Sequence, residues 1–256
     1  MKKLLTIAMM AGAMSAMAVE SSNTFGILRV DSTAAQTIVS IPWEAAGGGA
    51  IKVKDVVKTA NLTPASGEYI GDQLYYYDTT AETPAYKMWH LTSTGWEGAQ
   101  TVIASGTDVQ QQVSAGSDSD VLSRGGAIIL VRQNPTTGTP AVAKPFYLYG
   151  QYNSALPEIS VTRNASNGTY TLIAPPSADS VALNSGNWTG VTAGDHIILP
   201  SGQPLYWKDA TDKWCTLTTD LNTGDETYTS YTTPIPAGEG VWMCVAKGSG
   251  TVSVQW

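Results

Sequence analysis

The side chains of this 256-residue chain that could do chemistry are two histidines, two cysteines, two acidic loops and a set of Tyr and Trp residues. His90 and His196 are the only side chains with an ordinary pKa near neutrality, and so the natural candidates for proton transfer. Asp195 precedes His196, but neighbours on a strand point to opposite faces, so this carboxylate does not orient that imidazole. No Gly-x-Ser-x-Gly elbow seats a serine nucleophile, and no His-Glu-x-x-His run offers two imidazoles to zinc. Paired carboxylates for glycoside hydrolysis leave no local signature, so a hydrolase stays among the alternatives without named residues. The chain reads as a non-enzyme, with no catalytic residue assigned.

Cys215 and Cys244 are the only cysteines, each in an expected strand. In an exported chain an even count suggests a disulfide, provided neighbouring strands bring the Cα atoms within 4.4–6.8 Å. Two buried free thiols are the alternative. Together with His90 and His196 they show no metal-ligand spacing, and no metal or other cofactor is expected. Asp118-Ser119-Asp120 and Asp220-Leu221-Asn222-Thr223-Gly224-Asp225-Glu226 offer oxygens as a calcium loop would. The second departs from the EF-hand pattern at Gly224, one place early, and at Tyr231, where a bidentate Glu belongs. Both read as solvated turns.

The aromatic residues are the better binding candidates. Alternation along Tyr75-Tyr76-Tyr77 sends Tyr76 to the face opposite its neighbours, so one of these faces carries rings that need not be core. Tyr76, Trp96, Tyr206 and Trp207 are the candidate binding residues, because flat amphipathic rings on a β surface suit stacking against sugars or protein. Core packing is the competing use of any single Trp.

What must position these groups is an all-β scaffold. Thr, Tyr, Trp and Gly are plentiful, helix formers at helical spacing are scarce, and Gly, Pro and Asn recur at close intervals. Ile51 to Lys58 fits a short helix or a strand. Ile128-Ile129-Leu130-Val131 is apolar throughout, as a central strand buried on both sides would be. Val252, Val254 and Trp256 alternate with Thr251, Ser253 and Gln255, giving one buried face. Arg124-Gly125-Gly126 and Pro236-Ala237-Gly238-Glu239-Gly240 read as tight turns before strands, with Gly supplying positive φ.

Five blocks recur in order. Thr37 to Pro42 answers Thr169 to Ala174, and Gly71-Asp72-Gln73-Leu74 answers Gly194-Asp195-His196-Ile197. Met88-Trp89-His90-Leu91 answers Lys213-Trp214-Cys215-Thr216, Gly126 to Val131 answers Gly240 to Val245, and Tyr147 to Tyr152 answers Thr251 to Trp256. The offset falls from 132 residues (Thr37 against Thr169) to 104 (Tyr147 against Thr251), so the first copy carries insertions. Thr107–Ser123 and Asn134–Pro140 are the expected ones. Two diverged copies, sandwich- or barrel-like, are expected at 19–152 and 153–256.

Met1-Lys2-Lys3, an apolar run from Leu4 to Ala13 and Ser15-Ala16-Met17-Ala18 form a secretory signal peptide over 1–18. Its apolar run falls short of the roughly twenty residues of a spanning helix, so no integral membrane segment is expected in the mature chain. Terminal Trp256 suits an outer-membrane barrel, but the uneven spacing of turns does not. Loss of Lys2 and Lys3 takes the formal charge from −7 to −9, which argues against nucleic-acid partners.

The Pro236–Gly240 turn before an apolar strand bearing Trp242, after the Gly194–Ile197 block, resembles a module of secreted bacterial β-repeat proteins. The resemblance implies an exported β module and carries no activity or site residue. The expectation is a secreted or cell-surface protein, with the periplasm as the alternative compartment. It would be a structural or adhesive component contacting protein or glycan, and the alternative is a carbohydrate-binding module.

Overall fold

The structure, a computed structural model, describes residues 25–31, 36–53, 62–65, 71–78, 85–98, 101–105, 109–117, 120–132 and 145–256. The signal peptide, Asp118, Ser119, the 134–140 insertion and residues 54–58 lie outside them.

The described chain is all-β. Its first half runs β1 (Phe25–Asp31), β2 (Gln36–Ser40), β3 (Ile51–Lys52), β4 (Gln73–Asp78), β5 (Ala85–Leu91), β6 (Trp96–Gly98), β7 (Thr101–Ser105), β8 (Val109–Ala115), β9 (Val121–Leu122), β10 (Ala127–Val131) and β11 (Pro145–Gln151). The second runs β12 (Ile159–Thr162), β13 (Thr169–Ile173), β14 (Asn187–Thr189), β15 (His196–Ile198), β16 (Pro204–Lys208), β17 (Lys213–Thr219), β18 (Glu226–Ser230), β19 (Val241–Val245) and β20 (Thr251–Gln255). Among the described residues no helix is long and apolar enough to cross a membrane.

Each half is a large sheet laid over smaller ones. The first large sheet has the order β2-β10-β4-β5-β8-β7, and the second β13-β19-β15-β16-β17-β18. The first packs Val39, Leu74, Trp89 and Leu130 against Phe146 and Leu148 of the β1·β11 ribbon and Leu122 of β3·β9. The second packs Ile197, Leu205, Trp214 and Met243 against Val161 and Val252 of the β12-β20-β14 sheet. Fully buried indoles such as Trp89 and Trp214 dominate these cores, each contributing about 4 kcal/mol by area alone.

The apolar run of β10 lies between β2 and β4, and Ile128, Ile129 and Leu130 are buried on both faces, as the sequence indicates. In β20, Val252 and Val254 face inward while Thr251 and Gln255 are exposed. Strand order departs from the expected match of Trp89 with Trp214. β5 follows β4 as β16 follows β15, and Trp214 sits on the next strand, β17, paired with Trp207 as Trp96 is paired with Leu91.

The expected disulfide is not formed: Cys215 and Cys244 are free and buried. The register gives the reason. Cys244 faces His196, His196 faces Tyr206 and Tyr206 faces Cys215, so the thiols lie in one row but on strands three steps apart. Three steps are about 14 Å, far beyond the reach of a bridge. Burial pushes the Cys244 thiol up to about 12, which suits an inert core group.

Candidate binding groove at the joint between the halves

The large sheets use both faces, one for their own core and one for each other. Ile38, Ala127 and Ile129 of the first meet Leu172 and Ala174 beside the second, with Tyr75, Tyr86 and Trp242 packed around them. Backbone bonds tie the joint in a reciprocal way. Ser40 N–H donates to the Gly238 carbonyl at 2.8 Å, and Ala174 N–H donates to the Gly125 carbonyl at 2.9 Å. Val39 bridges Glu239 on one side, and Ile173 bridges Gly126 on the other. Both contacts are made by the turns anticipated from sequence, with Gly125 at φ 86° and Gly238 at φ 81°.

Beside the Glu239 contact opens a groove of about 510 Å³. Its walls are the end of β2 with Gln36 and Ile38, the β15–β16 turn with Pro200 and Ser201, and the Glu239 and Trp242 side chains. Trp242 is held edge-on by Tyr77 and Tyr86, with ring centroids 6.3 and 5.9 Å away. Burial raises the pKa of both tyrosines further above physiological pH, where the phenol is neutral in any case. Trp242 itself is only half-buried. Burial also raises the Glu239 carboxyl above its ordinary value. Among the described residues no cation or hydrogen-bond donor reaches that carboxylate, so its acceptor capacity is turned to whatever enters the groove.

The four candidate aromatic residues do not converge. Trp96 and Trp207 are each 6% exposed and belong to the two cores, the competing use that the sequence leaves open for any Trp. Trp207 lies beside Leu205 on the core face of β16, because alternation turns Tyr206 and not Trp207 outward. Tyr206 is half-buried on that outer face, 6.1 Å from the His196 ring. Lys208 lies on the same strand, its ammonium 4.1 Å from the Tyr228 ring centre. Tyr76 does face away from Tyr75 and Tyr77, but packs partly against the first core.

In the acidic loops, Asp120 and Asp220 bond within their own chain. Asp120 is buried, accepts from Ser117 and pairs with Lys87 at 3.0 Å. Asp220 accepts the Asn222 N–H at 2.8 Å in a closed turn. Asp195 pairs with Arg163 and points away from His196, as strand geometry requires.

Trp242 and Glu239 were visible in the sequence only as parts of a strand and a turn. Their meeting with Gln36 and Ser201 depends on the packing of one half on the other, which no local pattern encodes. No family model, no curated protein and no solved structure matches this chain.

Proposed function

We propose that this is an exported, non-enzymatic β protein that acts at the cell surface or outside the cell as an adhesive or structural component. In this reading residues 19–152 and 153–256 are diverged copies of one unit, joined as two subunits of an isologous dimer would be. The shared order β2-β10-β4-β5 and β13-β19-β15-β16 supports the duplication, as do the reciprocal Ser40–Gly238 and Ala174–Gly125 bonds.

One observation carries the binding role. The bridges shift the sequence match of Gly126 with Gly240 by one residue: counted from the bridging residue of each turn, Glu239 stands where the other side has Gly126, and Trp242 where it has Ile129. The joint closes with a glycine and an isoleucine there. On the second side it instead holds a half-buried carboxylate and a half-buried indole around an open groove. Such groups cost stability without a ligand and favour one with a ligand. Among the lining residues Glu239 is the one carboxylate, where hydrolysis by a carboxylate pair needs two.

The test is localisation with binding. Fractionated source cells should show the chain outside the cytoplasm, beginning at Val19. The purified 19–256 chain should bind glycan or cell-surface protein arrays without turning its ligand over. Cytoplasmic retention with an intact Met1–Ala18 segment, or turnover of a bound glycan, would overturn this reading.

A further inference from the structure

We propose that the groove is a subsite for one neutral sugar ring, with its apolar face on the Trp242 indole and its hydroxyls bonded to the Glu239 carboxylate and the Gln36 amide. This rests on the reading of the chain as a binding protein and names the ligand class.

A pyranose is amphipathic in a particular way, with a flat C–H face and a rim of hydroxyl donors. The groove matches both parts. Its lining joins apolar Trp242, Ile38 and Pro200 to polar Gln36, Ser201 and Glu239. Trp242 is fixed by two neutral tyrosine rings, so little side-chain freedom is lost when a ligand stacks on it. The Glu239 carboxylate accepts from several hydroxyls at once, and such charge-assisted bonds are the strong ones. At about 510 Å³ the groove lies within the range of roughly 300–1,000 Å³ typical of small-ligand sites.

A cation would also satisfy Glu239 and could stack on Trp242. It would leave the Gln36 amide and the Ser201 hydroxyl without a complementary rim. The hydroxyl-rich ring uses all four groups.

The experiment is saturation-transfer NMR of the 19–256 chain with the methyl α- and β-pyranosides of glucose, galactose, mannose and N-acetylglucosamine, and with choline as the cationic comparison. Transfer to at least one pyranoside is expected. Glu239→Gln should weaken it about tenfold or more, the usual worth of a charge-assisted hydrogen bond. Trp242→Leu should abolish it, but this variant also loses ring contacts within the joint. Ser201→Trp therefore serves as the second variant: Ser201 is exposed on a turn, so an indole there fills the groove mouth without touching either core. An unchanged thermal midpoint with lost binding is the expected result. Transfer to choline alone, to none of the probes, or to a pyranoside equally well in the Ser201→Trp and Glu239→Gln variants would overturn the sugar subsite. Surface localisation and array binding would be unaffected by that failure, so the two readings fall separately.

Discussion

The two sides of the joint between the halves carry the same backbone contact and different side chains. On one side Ala174 N–H reaches the Gly125 carbonyl, and a half-buried Gly126 and a buried Ile129 follow. On the other Ser40 N–H reaches the Gly238 carbonyl, and Glu239 and Trp242 follow around a groove. Main-chain hydrogen bonds fix where two strands end, and they leave side chains free to vary. A second comparison points the same way. Asp72 and Asp195 are both fully buried at the start of a strand, and both accept a backbone N–H, from Thr63 at 2.9 Å and Thr192 at 2.8 Å. Their guanidinium partners arrive from different places: Arg132 just after β10, Arg163 just after β12. The carboxylate that pins the turn keeps its position, and the compensating charge does not.

The largest effect should come from the buried side of the joint. Ile129→Asp places an unpaired charge where the two sheets meet, and should cost about 4–5 kcal/mol in urea unfolding. An unchanged midpoint would remove Ile129 from the joint and end the comparison with Trp242.

Next come the ion pairs. Arg132→Met leaves Asp72 buried and should cost about 3–5 kcal/mol. Arg163→Met should cost less, about 2–3 kcal/mol, because the Arg163 side chain is 6% exposed against 0% for Arg132, so water can approach the carboxylate it leaves. Equal losses would mean that water does not reach Asp195.

The turns give the third contrast. Gly125→Ala and Gly238→Ala both force a side chain into positive φ, at about 1–2 kcal/mol each. The loss at Gly125 should lie at the upper end of that range, since its Cβ would also come within 2.8 Å of Ile159. A loss at the lower end would show that Ile159 moves aside.

These positions also show what the sequence could disclose. The apolar run 128–131 announces a doubly buried strand because both of its faces are covered, and the glycine turns announce positive φ because few other residues tolerate it. Alternation puts Tyr206 and Trp207 on opposite faces of one strand but does not say which face is core, because each large sheet buries part of both faces. That ambiguity keeps Trp96 and Trp207 among the binding candidates and leaves Trp242 as no more than the aromatic of an apolar strand. The cysteine pairing failed for a related reason: two thiols on one face of one sheet satisfy every local pattern, and only strand order shows β15 and β16 between them. Sheet order and the joint are set by contacts far apart in the chain, and periodicity carries no record of them.

The smallest expected effect discriminates best between a structural and a binding use of Glu239. Burial raises this carboxyl's pKa in the folded chain, so folding binds protons more tightly than the unfolded chain does. Stability then falls as pH rises from the unfolded value through the raised folded value, and the full cost is present at neutral pH. Glu239→Gln removes that cost. The variant should melt about 1–2 °C higher than the parent at neutral pH, with the gain vanishing in acid, where the parent's carboxyl is protonated. A glutamate placed to hold the joint together would give the opposite sign, a loss at neutral pH. Higher stability with weaker ligand binding is the trade expected where a chain keeps an unfavourable group for what it contacts.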